Sequence, residues 1–302
     1  MFLRVLAVVL VCALPAAAQE HPLAGKIWDV GARAYLSEDE LVAKLTAATY
    51  VLLGEVHDNR EHHRLQAQML DRLVKAGRKP VVVFEQMDAT QQAALDRHVA
   101  GGGDAAGLGP AVGWSNIWPA WSAYQPIAAV AIAAGLPMIA ANVPDAALRD
   151  GMRDPARVDA GLAARTKFAE PLPASLRQSL EQELIAMLCG MPANTLGPVI
   201  QQMAIGQRMR DSAFADALTR GGAAGGVLIA GSGHTRTDRG VPWVLRQMDS
   251  AAKVAGMAFF ETVAELTNPD DYTRTMIDVP ALPFDYVWFT RGGSGGGGDP
   301  CR

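Results

Sequence analysis

The chain is 302 residues long, half of them hydrophobic, with a formal net charge of −4 and a pI near 5.9. That much apolar side chain can bury a full core, as one large domain or one domain plus a subdomain. No basic stripe marks a nucleic-acid face, so nucleic acid is set aside as a partner.

The first eighteen residues read as a signal peptide. Arg4 precedes an apolar run from Val5 to Leu14, and Ala16-Ala17-Ala18 before Gln19 is a small-residue cleavage pattern. The run is shorter than an ordinary membrane span. Cleavage removes one Arg, and −4 minus +1 leaves −5 for the mature chain. The expected location is therefore the periplasm or the outer membrane. A lipid anchor at Cys12 is the lesser alternative, because Val11 is not the small residue that such processing uses. Cys189 and Cys301 remain, and in an exported chain a pair of cysteines points to a disulfide. Closing a loop of roughly a hundred residues would stabilise the fold by about 4 kcal/mol in the chain-entropy account. It would tie the glycine-rich tail, residues 291–302, back to the body at residues 19–290.

Tyr50 to Leu53 is a strand-forming run, with Gly54 as the breaker that lets the backbone turn. Asp58 as N-cap and Glu61 three residues on form a capping-box pattern, followed by Leu65, Met69 and Leu73 at helical spacing. Glu55 and His57 thus sit between a strand's carboxyl end and a helix's amino end, where open α/β sheets place ligands. Lys79-Pro80 ends this helix, and Val81 to Phe84 is a second buried strand with Glu85 and Asp88 at its end. Ala89 to Val99 is helical by composition. Gly101 to Trp118 reads as a long mobile connection. Trp114, Trp118, Trp121 and Tyr124 follow close together, with Pro119 suited to a helix start and Pro126 to a kink. Pro137 to Ala141 is a third strand, ending at Asn142. Residues 144–220 read as helices throughout, over Ala156 to Phe168, Ser175 to Leu188 and Leu196 to Leu218. Gly226 to Ala230 is a fourth strand, and Gly231-Ser-Gly-His234 turns from its end toward a helix from Val241 to Ala252. Val254 to Glu261 and Tyr286 to Thr290 complete the strands.

This alternation predicts an α/β fold, a mainly parallel sheet flanked by helices with an inserted all-helical subdomain over about 144–220. Parallel strands present their carboxyl ends on one side. Glu55, His57, Glu85, Asp88, Asn142 and His234 are therefore expected to converge on one sheet edge.

The motifs Gly54-Glu-Val-His57-Asp, Phe84-Glu-Gln-Met, Trp121-x-x-Tyr124-x-Pro126, Ala141-Asn142-x-Pro144, Cys189-Gly-Met191, Gln207-x-x-Arg210-Asp211 and Gly231-x-Gly-His234 with Gly240-Val-Pro242 resemble, in that order, the ChaN-type haem-binding uptake proteins of the Tiki superfamily. The resemblance spans most of the mature chain. It implies an α/β domain with a helical subdomain, an envelope location in Gram-negative bacteria, and haem binding linked to iron uptake. It also implies kinship to Tiki-type metalloproteases and erythromycin-esterase-like enzymes.

Haem needs an apolar slot, an axial ligand and cationic or dipolar groups for its propionates. Trp114, Trp118 and Trp121 can supply ring contacts, Tyr124 a phenolate ligand, and Arg210 a propionate partner. His57, His62 and His63 are alternative ligands, and Arg208 reads as a solvated helix face. The plain alternative is that the aromatic cluster only covers the sheet edge. A rival site would use Glu55, His57, Glu85 and His234 to hold a divalent metal such as zinc or manganese, whose water would attack an ester, amide or peptide, with Glu55 or Glu85 as the base. Ser232 does not fit the Gly-x-Ser-x-Gly elbow. The reading is an exported, non-catalytic haem carrier for iron uptake, with Tyr124 as preferred axial ligand and the His57/His234 edge as a second, metal-binding site. Expected partners are haem, a second copy of the chain, and an outer-membrane haem receptor or transport component.

Overall fold

The computed structural model describes residues 20–188, 193–277 and 279–292. The expected signal peptide, Cys12, both cysteines of the expected disulfide, Cys189 and Cys301, and nearly all of the glycine-rich tail lie outside them. Two short strands that the sequence pattern did not mark come first, β1 (Ile27–Asp29) and β2 (Ala34–Leu36), and then helix α1 (Glu38–Ala47). Strand β3 (Tyr50–Glu55) leads into α2 (Arg60–Lys75), β4 (Val81–Asp88) into α3 (Gln92–Ala100). The N-cap of α2 is Asn59 rather than Asp58. Its side-chain oxygen accepts from the amides of Glu61 and His62.

The expected mobile connection is instead largely a helix, α4 (Ala105–Val112). Asp104 caps it by accepting from the Gly107 amide, and Gly113 ends it with φ of 64°, a left-handed value that suits glycine. Next come α5 (Trp121–Ala133) and β5 (Met138–Asn142). The insertion follows as α6 (Asp145–Arg153), α7 (Ala160–Arg165), α8 (Ala174–Met187) and the long α9 (Ala193–Thr219). Strand β6 (Gly226–Gly231), α10 (Ser232–Thr235), α11 (Val241–Met248), β7 (Val254–Glu261) and β8 (Tyr286–Thr290) close the chain.

The strands form one sheet in the order β2-β1-β8-β7-β3-β6-β4-β5. From β8 to β5 all pairings are parallel, and β1 alone runs against the rest, antiparallel to both β2 and β8. Side chains alternate faces along each strand, so the sheet carries two cores. Val51 and Leu53 pack with α2 and α5 on one face, while Leu52 packs with Phe214 of α9 and Leu245 of α11 on the other. Among the described residues no helix is long and apolar enough to cross a membrane.

Gly54 is required by close packing. A Cβ there would meet the Thr235 hydroxyl and come 2.9 Å from the Met257 carbonyl oxygen and the Ser232 Cα. Two of these three atoms are backbone and cannot swing away. Gly54→Ala is expected to cost about 2–3 kcal/mol by forced separation of β3 from its neighbours, seen as a lower midpoint in urea unfolding.

Candidate functional site

The carboxyl ends of β3, β4 and β6 do meet. They form the floor of a cavity of about 400 Å³, roofed by α8 and walled by α9. That volume lies in the range of small-ligand sites. Two buried acid clusters lie in this floor.

The first centres on Glu55, the last residue of β3, which is 2% exposed. Its Oε1 accepts from Tyr124 Oη at 2.6 Å, His57 Nδ1 at 2.9 Å and Gln86 Nε2 at 3.0 Å. Its Oε2 lies 3.4 Å from His63 Nε2, near enough for charge but outside hydrogen-bond geometry. Burial pushes the Glu55 carboxyl up, but the hydrogen bond from His57 and the close approach of the His63 and His57 imidazoles outweigh it, and the group stays an anion below its ordinary range. Burial likewise disfavours the charged His57 ring. The Glu55 bond and the Glu85 charge overcome that, so His57 titrates above its usual value.

The second cluster centres on His234 of α10, 5% exposed. Its Nδ1 donates to Asp211 Oδ1 at 2.6 Å and its Nε2 faces Glu85 Oε1 at 3.2 Å. Glu85 Oε2 also accepts from the Gly231 amide at 2.7 Å. Burial opposes charge on this imidazole, yet the two carboxylates push it up to about 10. Glu85 is held down to about 2, since His234, His57 and the Gly231 bond exceed the burial penalty. Asp211 moves the other way. Its burial outweighs His234, so it is the weaker acid of the pair and Glu85 the firm anion. At neutral pH His234 is therefore an imidazolium with both nitrogens engaged.

The expected metal set, Glu55, His57, Glu85 and His234, is thus gathered at one edge but divided into two hydrogen-bonded pairs. Among the described residues no three His, Cys, Asp or Glu side chains are arranged to hold a metal ion. The physical reason is that His234 has no free lone pair and His57 Nδ1 is tied to Glu55.

The structure places Tyr124, expected as the axial ligand, inside the packing. It is 0% exposed, packed between Trp114 and His63 with ring centroids 5.3 Å and 4.1 Å away, and its hydroxyl donates to Glu55. Burial and the Glu55 charge push its phenol far above the ordinary range, opposite to what a tyrosinate ligand needs. Trp121 is likewise packing, with its indole N–H donating to the Ala105 carbonyl at 2.7 Å. So are two of the alternative ligands. His63 is buried under Tyr124, and His62 accepts from the Val56 amide at 3.0 Å and is pushed down to about 4 by burial. Arg208, read as solvated, is in fact bonded. It donates to the carbonyls of Phe168 and Glu170.

His57, Trp118 and Arg210 remain open to the cavity. The His57 side chain is 41% exposed, and its Nε2 sits over Gly231, where a Cβ would approach it to 2.9 Å. Trp118 meets the His57 ring edge to face at 4.9 Å. It lines an adjoining cavity of about 250 Å³ that shares Glu85 and Arg210 with the first. Arg210 makes no hydrogen bond or ion pair among the described residues. Asp211 and Gln86, which were not singled out as site residues, have visible signals in hindsight. Gln207 and Asp211 are one helical turn apart on α9 and both reach His234. Gln86 follows Glu85 where β4 shifts register between Phe84 and Asp88, so two successive residues serve the two acid clusters.

Because the Tyr124 hydroxyl donates to Glu55, Tyr124→Phe is expected to cost about 1–3 kcal/mol from the lost hydrogen bond to this buried carboxylate. It should leave the ligand spectrum of the site in place. Loss of the spectrum in a folded variant would restore Tyr124 as the ligand.

Comparison with known proteins agrees with this architecture. ChaN of Campylobacter jejuni, in a structure described as cofacial haem binding, superposes with a TM-score of 0.67 at 19% identity, covering 87% of this chain and 95% of that one. The type III effector HopBA1 (TM-score 0.46, 13% identity, 84% and 93% covered) and the erythromycin esterase EreC in an open conformation (0.42, 13%, 74% and 73%) are more distant. No curated protein matches. The model of the family described as haem-binding uptake, Tiki superfamily, ChaN, matches residues 41–245, and the chain belongs to that family.

Proposed function

We propose that the chain binds haem at the strand-end cavity, with His57 Nε2 as iron ligand, and hands it on in iron uptake as an exported, non-catalytic carrier. One observation carries the ligand assignment. His57 is the histidine at this edge whose ring is half open, with one nitrogen fixed by a buried carboxylate and the other facing the cavity mouth. A carboxylate on the far nitrogen sets the tautomer and strengthens the donor, a common second-shell arrangement at metal-ligating histidines. Haem bound there would bring iron and a large apolar face. Trp118 would pack against that face, Arg210 would meet a propionate, and Glu55 would hold the His57 proton on Nδ1. Cofacial haem binding, described for the Campylobacter jejuni protein, would suit a homodimer, as would Ile117, 79% exposed next to Trp118. Light scattering that gives a monomer both with and without hemin would remove the dimer. An outer-membrane receptor or transport component as the acceptor also belongs to this proposal.

The test is a visible-absorption titration of the purified mature chain with hemin, beside elemental analysis of the untreated protein. A saturable Soret band of histidine type, without tyrosinate charge-transfer features, is the expected result. Absence of saturation overturns the reading.

A further inference from the structure

A groove lies away from the two acid clusters, between the edge strand β5 and the insertion helices α6, α7 and α9, with a volume of about 340 Å³. Its bed is apolar, with Ile139 and Ala141 of β5 facing Leu162, Met209 and Ala213. Its rim carries three arginines. Arg165 is fixed there by Asp216, through Nε to Oδ1 at 2.5 Å and Nη2 to Oδ2 at 3.1 Å. Arg220 reaches the same carboxylate only at 3.5 Å and Arg157 reaches Asp154 only at 3.7 Å, so both keep donors to spare. Counting Asp154 beside Asp159 and Asp216, the acids balance the three arginines, and the rim offers spare guanidinium donors rather than net charge. Asp159 is itself engaged in accepting from the Leu162 amide.

A purely apolar guest would strip water from these guanidiniums without replacing it, and a bare small anion would leave the bed wet. At about 340 Å³ the space lies in the range of small-ligand sites. We propose that this groove is a second ligand site, for a small amphipathic anion whose carboxylate meets Arg157 and Arg220 while its apolar body lies on Ile139, Leu162, Met209 and Ala213. It does not depend on haem binding, because it shares no residue with the cavity beside His57 and only Asn142 and Val143 with the adjoining cavity that Trp118 lines.

Decanoate is the probe, titrated calorimetrically into the mature chain, with decanol as the uncharged control. Saturable decanoate binding at one site is expected, with decanol at least about tenfold weaker. The double variant Arg157→Gln/Arg220→Gln should weaken decanoate about tenfold or more and leave thermal unfolding and hemin titration unchanged, since Arg165 still holds Asp216. Ala213→Phe, which fills the bed, should abolish binding. Equal binding of decanoate and decanol, an unchanged double variant, or displacement of decanoate by one equivalent of hemin would each overturn the site. If wild-type protein binds decanoate but no hemin, the groove stands and the haem reading falls.

Discussion

His57→Ala is expected to lower hemin affinity by about 100-fold or more and to replace the histidine-type Soret band with a weak, non-saturating shift. The magnitude follows from losing the iron bond itself, since loss of an outer-shell partner alone costs about 10–100-fold in metal affinity. The fold should survive, because the ring is 41% exposed and its polar contact is the single bond to Glu55. Far-ultraviolet circular dichroism and the urea midpoint check this. Added imidazole should restore part of the band in the variant, a response that a merely structural histidine would not give. If His57→Ala keeps the wild-type spectrum while Tyr124→Phe loses it, the assignments of the two residues must be exchanged.

The largest stability effect is expected at His234. His234→Ala would leave Glu85 and Asp211 as two buried carboxylates without their shared cation, and removing one partner of a buried ion pair costs about 3–5 kcal/mol. At about 2–4 °C per kcal/mol for a chain of this size, the melting midpoint should fall by roughly 6–20 °C. The pH dependence has a defined sign. His234 is raised to about 10 from an ordinary value near 6.5, so its contribution is complete below about 6.5 and is lost as pH rises through 10. Glu85 is lowered to about 2 from an ordinary value near 4.5, so its contribution is complete above about 4.5 and is lost as pH falls through 2. Asp211, raised by burial, contributes with the opposite sign, because its charged form costs stability in the folded protein and that cost is relieved as pH falls through its raised value. Thermal unfolding at stepped pH should therefore show the wild-type advantage over His234→Ala greatest between about 4.5 and 6.5, shrinking above 8. An advantage that grew with pH would mean that His234 is neutral in the folded protein.

Much of this architecture is legible in the residues. Short β-branched runs ended by Gly54, Glu85, Asn142 and Gly231 mark parallel strands, and parallel strands must bring their carboxyl ends together. That brings Glu55, His57, Glu85 and His234 to one edge before any coordinates are known. What the residues do to one another is less legible. Tyr124 lies in a convincing aromatic cluster, but whether its hydroxyl points to solvent or to Glu55 depends on the rotation of α5 against α2, and Ala128 and Ala131, one and two turns further along the same helix face, permit that close approach. The split of four expected metal ligands into two pairs turns on Asp211, which arrives from a helix distant in sequence. Strands β1 and β2 were invisible because each has only three residues, too few for a pattern of period two. The helix over Ala105–Val112 was hidden by its glycines, which mimic a loop until Asp104 is seen to cap them.

The strand order carries a consequence for how the molecule is made. Strand β6 lies between β3 and β4, so those two are not paired along their backbones, and each keeps a bare edge until the chain has passed the whole insertion and reached Gly231. A nascent or truncated chain ending within α9 would hold two apolar strands with a gap one strand wide between them. Such a fragment is suited to pairing with other copies of itself. The insertion is then also a delay line, keeping the sheet open until β6 arrives as its central wedge.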